Sequence, residues 1–226
     1  MQTPTNLGAR LASAKQFVKK GGRVIDVGTD HAYLPIALIR EGISSAALAC
    51  DINEGPIASA RENIAAAGLE DAIGTRLTDG LHGTEDFCAD DVMIFGMGGE
   101  LIVRILSEAE WVKSACVGLV LQPMSRASVL RRYLAENGFE IVDEALTYED
   151  KYYQTIAARY SGRPYSLSDT EAWIGPCNIQ KRPTLFEGFV RHEIGVFEAI
   201  LKGKAQAVNA DVTLETEMKR NLEALL

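Results

Sequence analysis

The chain is short of the patterns that announce metals, disulfides, membranes and dinucleotides. Its four cysteines, Cys50, Cys88, Cys116 and Cys177, are dispersed, with no CxxC spacing and no paired histidine. Neither a zinc site nor a disulfide framework is indicated, so no metal is expected and the cysteines read as reduced packing residues. No apolar run approaches the roughly 18 residues that span a bilayer, so no membrane partner is expected. The opening "MQTPTNLGARL" has no apolar block of the signal-peptide kind, and the expectation is a cytoplasmic protein. The turn after the first apolar run, "DVGTDHAYLPI" (26–36), holds one glycine, where a dinucleotide site needs three for the backbone to close on a pyrophosphate.

What is present is an acidic, apolar-rich chain of 226 residues, 47% of them hydrophobic, enough for one α/β domain and an appendage. The net charge of −8 argues against nucleic acid as a partner, but the distribution qualifies it. The first 25 residues carry Arg10, Lys15, Lys19, Lys20 and Arg23 and no acidic residue. Arg126, Arg131 and Arg132 form a second basic group, and Lys181 and Arg182 lie near the C-terminal helices. Such local faces bind phosphate while the whole is acidic, because exposed charges beyond about 10 Å are largely screened.

Strand and helix signals alternate up to about residue 137. "RVIDVG" (23–28), "AALACDI" (46–52), "AIGTRLT" (72–78), "DVMIFGM" (91–97) and "VGLVLQP" (117–123) are apolar runs suited to strands buried on both faces of a parallel sheet. Helical stretches lie between them, two ending on Gly68 and Gly138, and Ser125 is placed as an N-cap. Pro35 has no N–H and fits only a first helical turn, so a helix is expected to begin near Leu34, leaving Asp30, His31 and Tyr33 on a loop. After Gly138, strands at 139–148 and 152–160 are too close for a parallel crossover and must pair antiparallel. The expected fold is a Rossmann-like class I methyltransferase fold, a mostly parallel sheet with an antiparallel terminal hairpin. "SGRPYSLSD" reads as a linker. From Thr184 apolar residues recur at helical spacing, then again from Val208 to Leu225, which predicts a coiled-coil-like helical hairpin joined through "KGKAQA". The domains are expected at 1–162 and 163–226.

Ligands of open α/β sheets bind outside the carboxyl ends of the strands. Asp26, with Gly28 behind it, stands at the first such end, Asp51 at the second and Asp79 at the third. Three successive carboxylates disfavour a phosphate ligand and favour one with a cationic amino acid moiety, as in S-adenosylmethionine. Asp51 can accept from a ribose diol and Asp79 from an adenine amino group. "FGMGGEL" lets the backbone at Gly96 approach a ligand closely, with Met97 lining the pocket.

With "DVGTDHAYLPI", "DINEGP", "LTDGL", "FGMGGELI" and "LQP" in order, the sequence resembles the bacterial tRNA (adenine-22-N1)-methyltransferase family, TrmK. The resemblance spans nearly the whole chain and implies S-adenosylmethionine as cofactor and tRNA as partner. It implies cofactor contacts from Asp26, Gly28, Asp51, Ile52, Asn53, Asp79, Gly80, Gly96 and Met97. Substrate contacts would come from Arg10, Lys19, Lys20, Gln122, Pro123 and Arg126. Adenine N1 carries its own lone pair, so catalysis would be mainly positioning. Asp30 would stabilise the cationic product, Tyr33 would stack on the base, and His31 would orient Asp30 or the base edge. Two rival readings are a catalytically inert RNA-binding protein on the same fold and a nicotinamide-dependent oxidoreductase.

Overall fold

A computed structural model describes residues 7–205 and 211–226. Its elements run α1 (Ala9–Ala12), β1 (Gly22–Val27), α2 (Tyr33–Arg40), β2 (Ser44–Asp51), α3 (Glu54–Ala67), β3 (Ile73–Leu77), β4 (Asp91–Gly98) and α4 (Gly99–Ser107). They continue with β5 (Gly118–Ser125), α5 (Ala127–Glu136), β6 (Phe139–Tyr148), β7 (Tyr152–Tyr160), α6 (Asp169–Ile174), α7 (Pro176–Lys181), α8 (Phe186–Lys204) and α9 (Thr213–Glu223). One seven-stranded sheet has the order β3-β2-β1-β4-β5-β7-β6. The first five strands pair in parallel, and β7 is antiparallel to both β5 and β6. This is the Rossmann-like methyltransferase sheet expected from the alternation of runs, with the hairpin where the short 149–151 connection required it.

Continuous apolar runs form strands here because both faces are covered. Along β1, Val24 packs into one cluster with Leu38, Ala60 and Met93, while Ile25 packs into another with Ile94, Ile102, Leu121 and Leu134. Each such side chain withdrawn from water contributes about 1.5–3 kcal/mol. A third cluster joins Leu146 of β6 to Phe186, Phe189, Val190, Phe197, Met218 and Leu222 of the C-terminal helices. α8 and α9 run antiparallel, with Lys204 paired to Glu215 near their joined ends and Lys219 to Glu198 further along.

Several details depart from the pattern read along the chain. α2 begins one residue before Leu34, at Tyr33, so Tyr33 belongs to the helix and not to the loop; Pro35 sits within the first turn, as its missing N–H requires. Ser125 ends β5, and the residue before α5 is Arg126 in the left-handed region at φ 56°. Two short helices occupy 169–181, where no helix was expected: α6 opens on a capping box between Ser168 and Glu171, and α7 on Pro176. α8 runs through Lys202 and Lys204, inside the expected joint "KGKAQA"; the rest of that joint beyond Ala205, with Val208, lies outside the described residues. Cys50 and Cys177 are buried, as packing residues would be, but Cys88 and Cys116 are exposed. Among the described residues no helix is long and apolar enough to cross a membrane.

Candidate active site

The strand order reverses between β1 and β4, which opens a crevice at their carboxyl ends. A cavity of about 360 Å³ lies there, lined by Arg10, Asp26, Gly28, Asp30, His31, Tyr33 and Gly96 among others. Asp26, near the end of β1, is 7% exposed. Burial pushes its carboxyl up to about 6, against a hydrogen bond from Thr29, with Asp51 adding to the rise. The N–H groups of Gly28 and Thr29 both donate to the Cys50 carbonyl at 2.9 Å, tying the turn to β2. Gly28 has φ +78°, and a Cβ there would stand 2.2 Å from Met97 Cε, so the methionine closes over a turn that only glycine can make.

The next four residues are pinned from three sides. Thr29 Oγ1 accepts from the Ala32 N–H at 3.2 Å, Ala32 is left-handed at φ 54°, and Asn63 Nδ2 donates to the His31 carbonyl at 3.1 Å. This turns Asp30 and His31 outward. His31 Nε2 is 3.2 Å from Asp30 Oδ2, and the imidazole stacks on Tyr33 at 5.0 Å with 26° between the planes. Asp30 is 79% exposed at its side chain, so its carboxylate faces whatever enters the crevice.

At the end of β2, Asp51 Oδ1 accepts from the Asn53 N–H at 2.8 Å, leaving acceptor capacity for a diol. Beside it Ile52 and Leu77 stay 58% and 48% exposed on adjacent strand ends. Two uncovered aliphatic side chains next to a carboxylate suit the face of a purine; Leu77 was missed in the sequence because it falls at an ordinary strand position. Asp79 is already occupied: both its oxygens accept from Arg104, at 2.8 and 3.1 Å, and that guanidinium holds its carboxyl below the usual range. Gly80, at φ +59°, packs towards Ile105. A buried carboxylate for an ammonium, an open carboxylate for a diol and an apolar shelf together fit S-adenosylmethionine.

Gln122, expected to contact substrate, is fully buried. Its Oε1 accepts from Arg10 Nη1 at 3.1 Å and from the Gly96 N–H at 3.2 Å, while Nε2 donates to the Pro123 carbonyl at 3.0 Å. Arg10 is thereby drawn into the crevice, over the Tyr153 ring. Of the glycines in "FGMGGEL", Gly96 at φ +78° faces Arg10, whereas Gly99 serves packing: a Cβ there would lie 2.4 Å from the Arg126 carbonyl oxygen. Arg126 itself is 69% exposed at its side chain and 3.9 Å from Glu100.

The basic residues counted along the chain do not form one face. Lys19 and Lys20 precede β1 and so lie at its amino end, about 20 Å from the crevice at roughly 3.3 Å per residue; Lys19 is engaged there with Asp90. Lys15 pairs with Glu41, Arg132 with Asp169, Lys181 with Asp143, and Arg182 donates to the Leu225 carbonyl. Arg131 is wholly buried. Among the described residues no group of three or more His, Cys, Asp or Glu is placed to hold a metal ion.

A methyltransferase-domain family model matches residues 7–156. The tRNA (adenine(22)-N(1))-methyltransferase of Bacillus subtilis is 34% identical over 91% of this chain and 88% of its own length. The chain belongs to this family. Among solved structures, the B. subtilis m1A22 tRNA methyltransferase TrmK superposes with a TM-score of 0.82 at 28% identity, covering 97% of this chain and 95% of that one. Mycoplasma capricolum TrmK, in complex with the natural cofactor product S-adenosyl-homocysteine, superposes with a TM-score of 0.79 at 26% identity, covering 97% and 96%. The TrmK likeness therefore includes the C-terminal helices as well as the sheet.

Proposed function

We propose that this chain transfers a methyl group from S-adenosylmethionine to N1 of the adenine at position 22 of tRNA. The observation that carries the reading is the crevice at the β1–β4 switch, lined by buried Asp26 and by the Asp30–His31–Tyr33 cluster at its mouth, with the open carboxylate of Asp51 at the end of the neighbouring strand β2. Bound S-adenosylmethionine supplies the methyl group; the chain's own residues position and compensate charge. Asp26 takes the cofactor's ammonium, Asp51 its ribose hydroxyls, and Ile52 and Leu77 its purine face. Since adenine N1 needs no base to make it a nucleophile, the chain has only to hold the base edge-on. Tyr33, already stacked on His31, extends that stack to the base. Asp30, steadied by His31 Nε2, offsets the positive charge of the methylated ring and takes a proton from N6 afterwards. Arg10 and Arg126 contact phosphate at the carboxyl edge of the sheet, and residues 163–226 form a tRNA-contacting appendage.

The test is incubation with labelled S-adenosylmethionine and unmodified tRNA, followed by location of the methylated base. Label at N1 of adenine 22 is expected. Cofactor binding without turnover would instead identify an inert RNA-binding protein. Asp30→Ala should lower kcat by about 100-fold, the scale of removing one preorganised electrostatic group, with cofactor affinity unchanged.

A further inference from the structure

A second cavity, of about 240 Å³, opens on the same edge of the sheet, between the end of β5 and the C-terminal helices. β4 and β5 are hydrogen-bonded neighbours, with Met97 beside Pro123 and Gly98 beside Ser125. The two cavities therefore flank one pair of strand ends, which lie about 4.8 Å apart. Buried Gln122 stands between them: it bonds Arg10 and Gly96 on the crevice side, and its Nε2 donates to Pro123, which lines the second cavity.

Tyr152, Trp173 and Phe189 give the cavity aromatic walls; Ser125, Arg126 and Ser128 line it from the end of β5 and the start of α5, and Gln154 and Glu193 stand among the rings. The orientation of both is fixed from behind. Gln154 Oε1 accepts from Arg131 Nη2 at 2.7 Å; a guanidinium can only donate, so the amide oxygen is committed to it and the amide NH₂ is left to donate elsewhere. Glu193 Oε2 accepts from Trp173 Nε1–H at 2.7 Å, which leaves Oε1 as an acceptor. An amide donor and a carboxylate acceptor between aromatic rings match the edge and faces of a purine. Guanine offers O6 and N1–H, and adenine offers N1 and the N6 amino group.

We propose that this cavity binds a second, unpaired purine of the RNA substrate, distinct from the base that is methylated, stacked on Trp173 and read by Gln154 and Glu193. The inference rests on the methylation reading above, since that activity brings RNA to this edge. A purine held here fixes the RNA's register relative to the crevice, so it acts on substrate affinity and not on the transfer step. Adenine at this position would need its N1 for the Gln154 bond, so a base bound in this way is not the one methylated.

The test uses the full chain with Glu193→Gln, which keeps an acceptor for the Trp173 N–H and replaces the free acceptor by a donor. KM for tRNA should rise at least tenfold, with kcat, S-adenosylmethionine affinity by calorimetry and melting temperature unchanged. A set of tRNAs in which each unpaired purine near the target is changed to a pyrimidine then follows. One such change should cost the wild type as much as the protein substitution does and should cost Glu193→Gln nothing further, the coupling expected of a direct contact; whether guanine or adenine supports binding at that position identifies the base. Unchanged KM, or additive losses at every nucleotide, would overturn the proposal. If wild-type protein methylates no tRNA, the methylation reading fails instead, and that outcome is visible before any variant is made.

Discussion

Two buried carboxylates, one on the interior strand β1 and one on the edge strand β6, are treated in opposite ways. Glu144 of β6 sits at the join between the sheet and the C-terminal helices. Its Oε1 accepts from Arg131 Nε at 2.7 Å and its Oε2 from the N–H groups of Cys177 and Asn178, at the start of α7. Arg131 donates onward to the carbonyls of Ala172 and Trp173, at the end of α6, and to Gln154. A cation at one helix's C-terminal end and an anion at the next one's N-terminal end leave neither charge uncompensated. Gly175 exists between them because a Cβ would stand 2.3 Å from Glu144 Oε2. Asp26, equally hidden, has Thr29 and no cation, and burial raises its carboxyl to about 6. A saturated buried charge holds architecture; an unsaturated one waits for a ligand.

The largest test breaks the saturated side. Glu144→Ala strips Arg131 of its anion inside the protein, and loss of one partner of a buried pair costs about 3–5 kcal/mol. Chemical denaturation should show that loss. A change below 1 kcal/mol would mean that the guanidinium finds water, and the junction would then be no rigid link. The unsaturated side should behave differently. Asp26→Asn removes a charge that the fold gains nothing from, so the protein should melt no lower than wild type, while affinity for S-adenosylmethionine should fall by at least tenfold, about 1.4 kcal/mol. A destabilised variant with normal affinity would reverse the two roles.

This contrast bears on what could be read in the sequence. The five parallel strands, the antiparallel hairpin and the Asp26–Tyr33 cluster were legible because each is local: an apolar run, a short connection, a proline that dates the start of a helix. Arg131 was counted as a phosphate-binding candidate because a sequence lists its charge and not its partner, and Glu144 lies 13 residues away across a turn of the chain. Lys19 stands apart from the crevice for a related reason. Consecutive lysines look like one patch, yet the strand that follows carries the chain from one end of the sheet to the other. α6 and α7 left fainter traces, Ser168 with Glu171 and Pro176, which were overlooked in a stretch rich in turn-forming residues. The second cavity had no local sign at all, since its walls come from β5, α5, β7, α6 and α8.

A titration sharpens the Asp26 side further. Its folded-state value of about 6 lies above its ordinary 3.8, so between those limits the folded chain binds more protons than the unfolded one. Its contribution to stability therefore rises as pH falls through that window and is lost as pH rises through about 6. Cofactor binding has the opposite sense, because an ammonium needs the carboxylate. Below about pH 6 affinity should fall by roughly tenfold per pH unit, with one proton released on binding. Calorimetry in two buffers of different ionisation enthalpy measures that proton directly, and Asp26→Asn should abolish both the slope and the release. A pH-independent affinity from about pH 5 to 7, on the order of one unit either side of that value, would remove Asp26 from the ammonium site.

The smallest effects separate the two ends of the sheet for tRNA. Arg126 is exposed on the carboxyl edge, where it lines the second cavity, and Glu100 stands 3.9 Å away; Lys19 is at the amino end, held by Asp90. Each phosphate contact releases about one counterion, so Arg126→Ala should weaken tRNA binding and reduce the slope of log K against log salt by about one. Lys19→Ala should change neither, because its charge is compensated within the protein and it faces away from the crevice. The pair is informative in slope even where the affinities are close, since non-specific loss of positive charge would move both variants alike. Equal slopes for the two would mean that tRNA wraps to the amino end, and the carboxyl edge would then be only the place of reaction and not the place of binding.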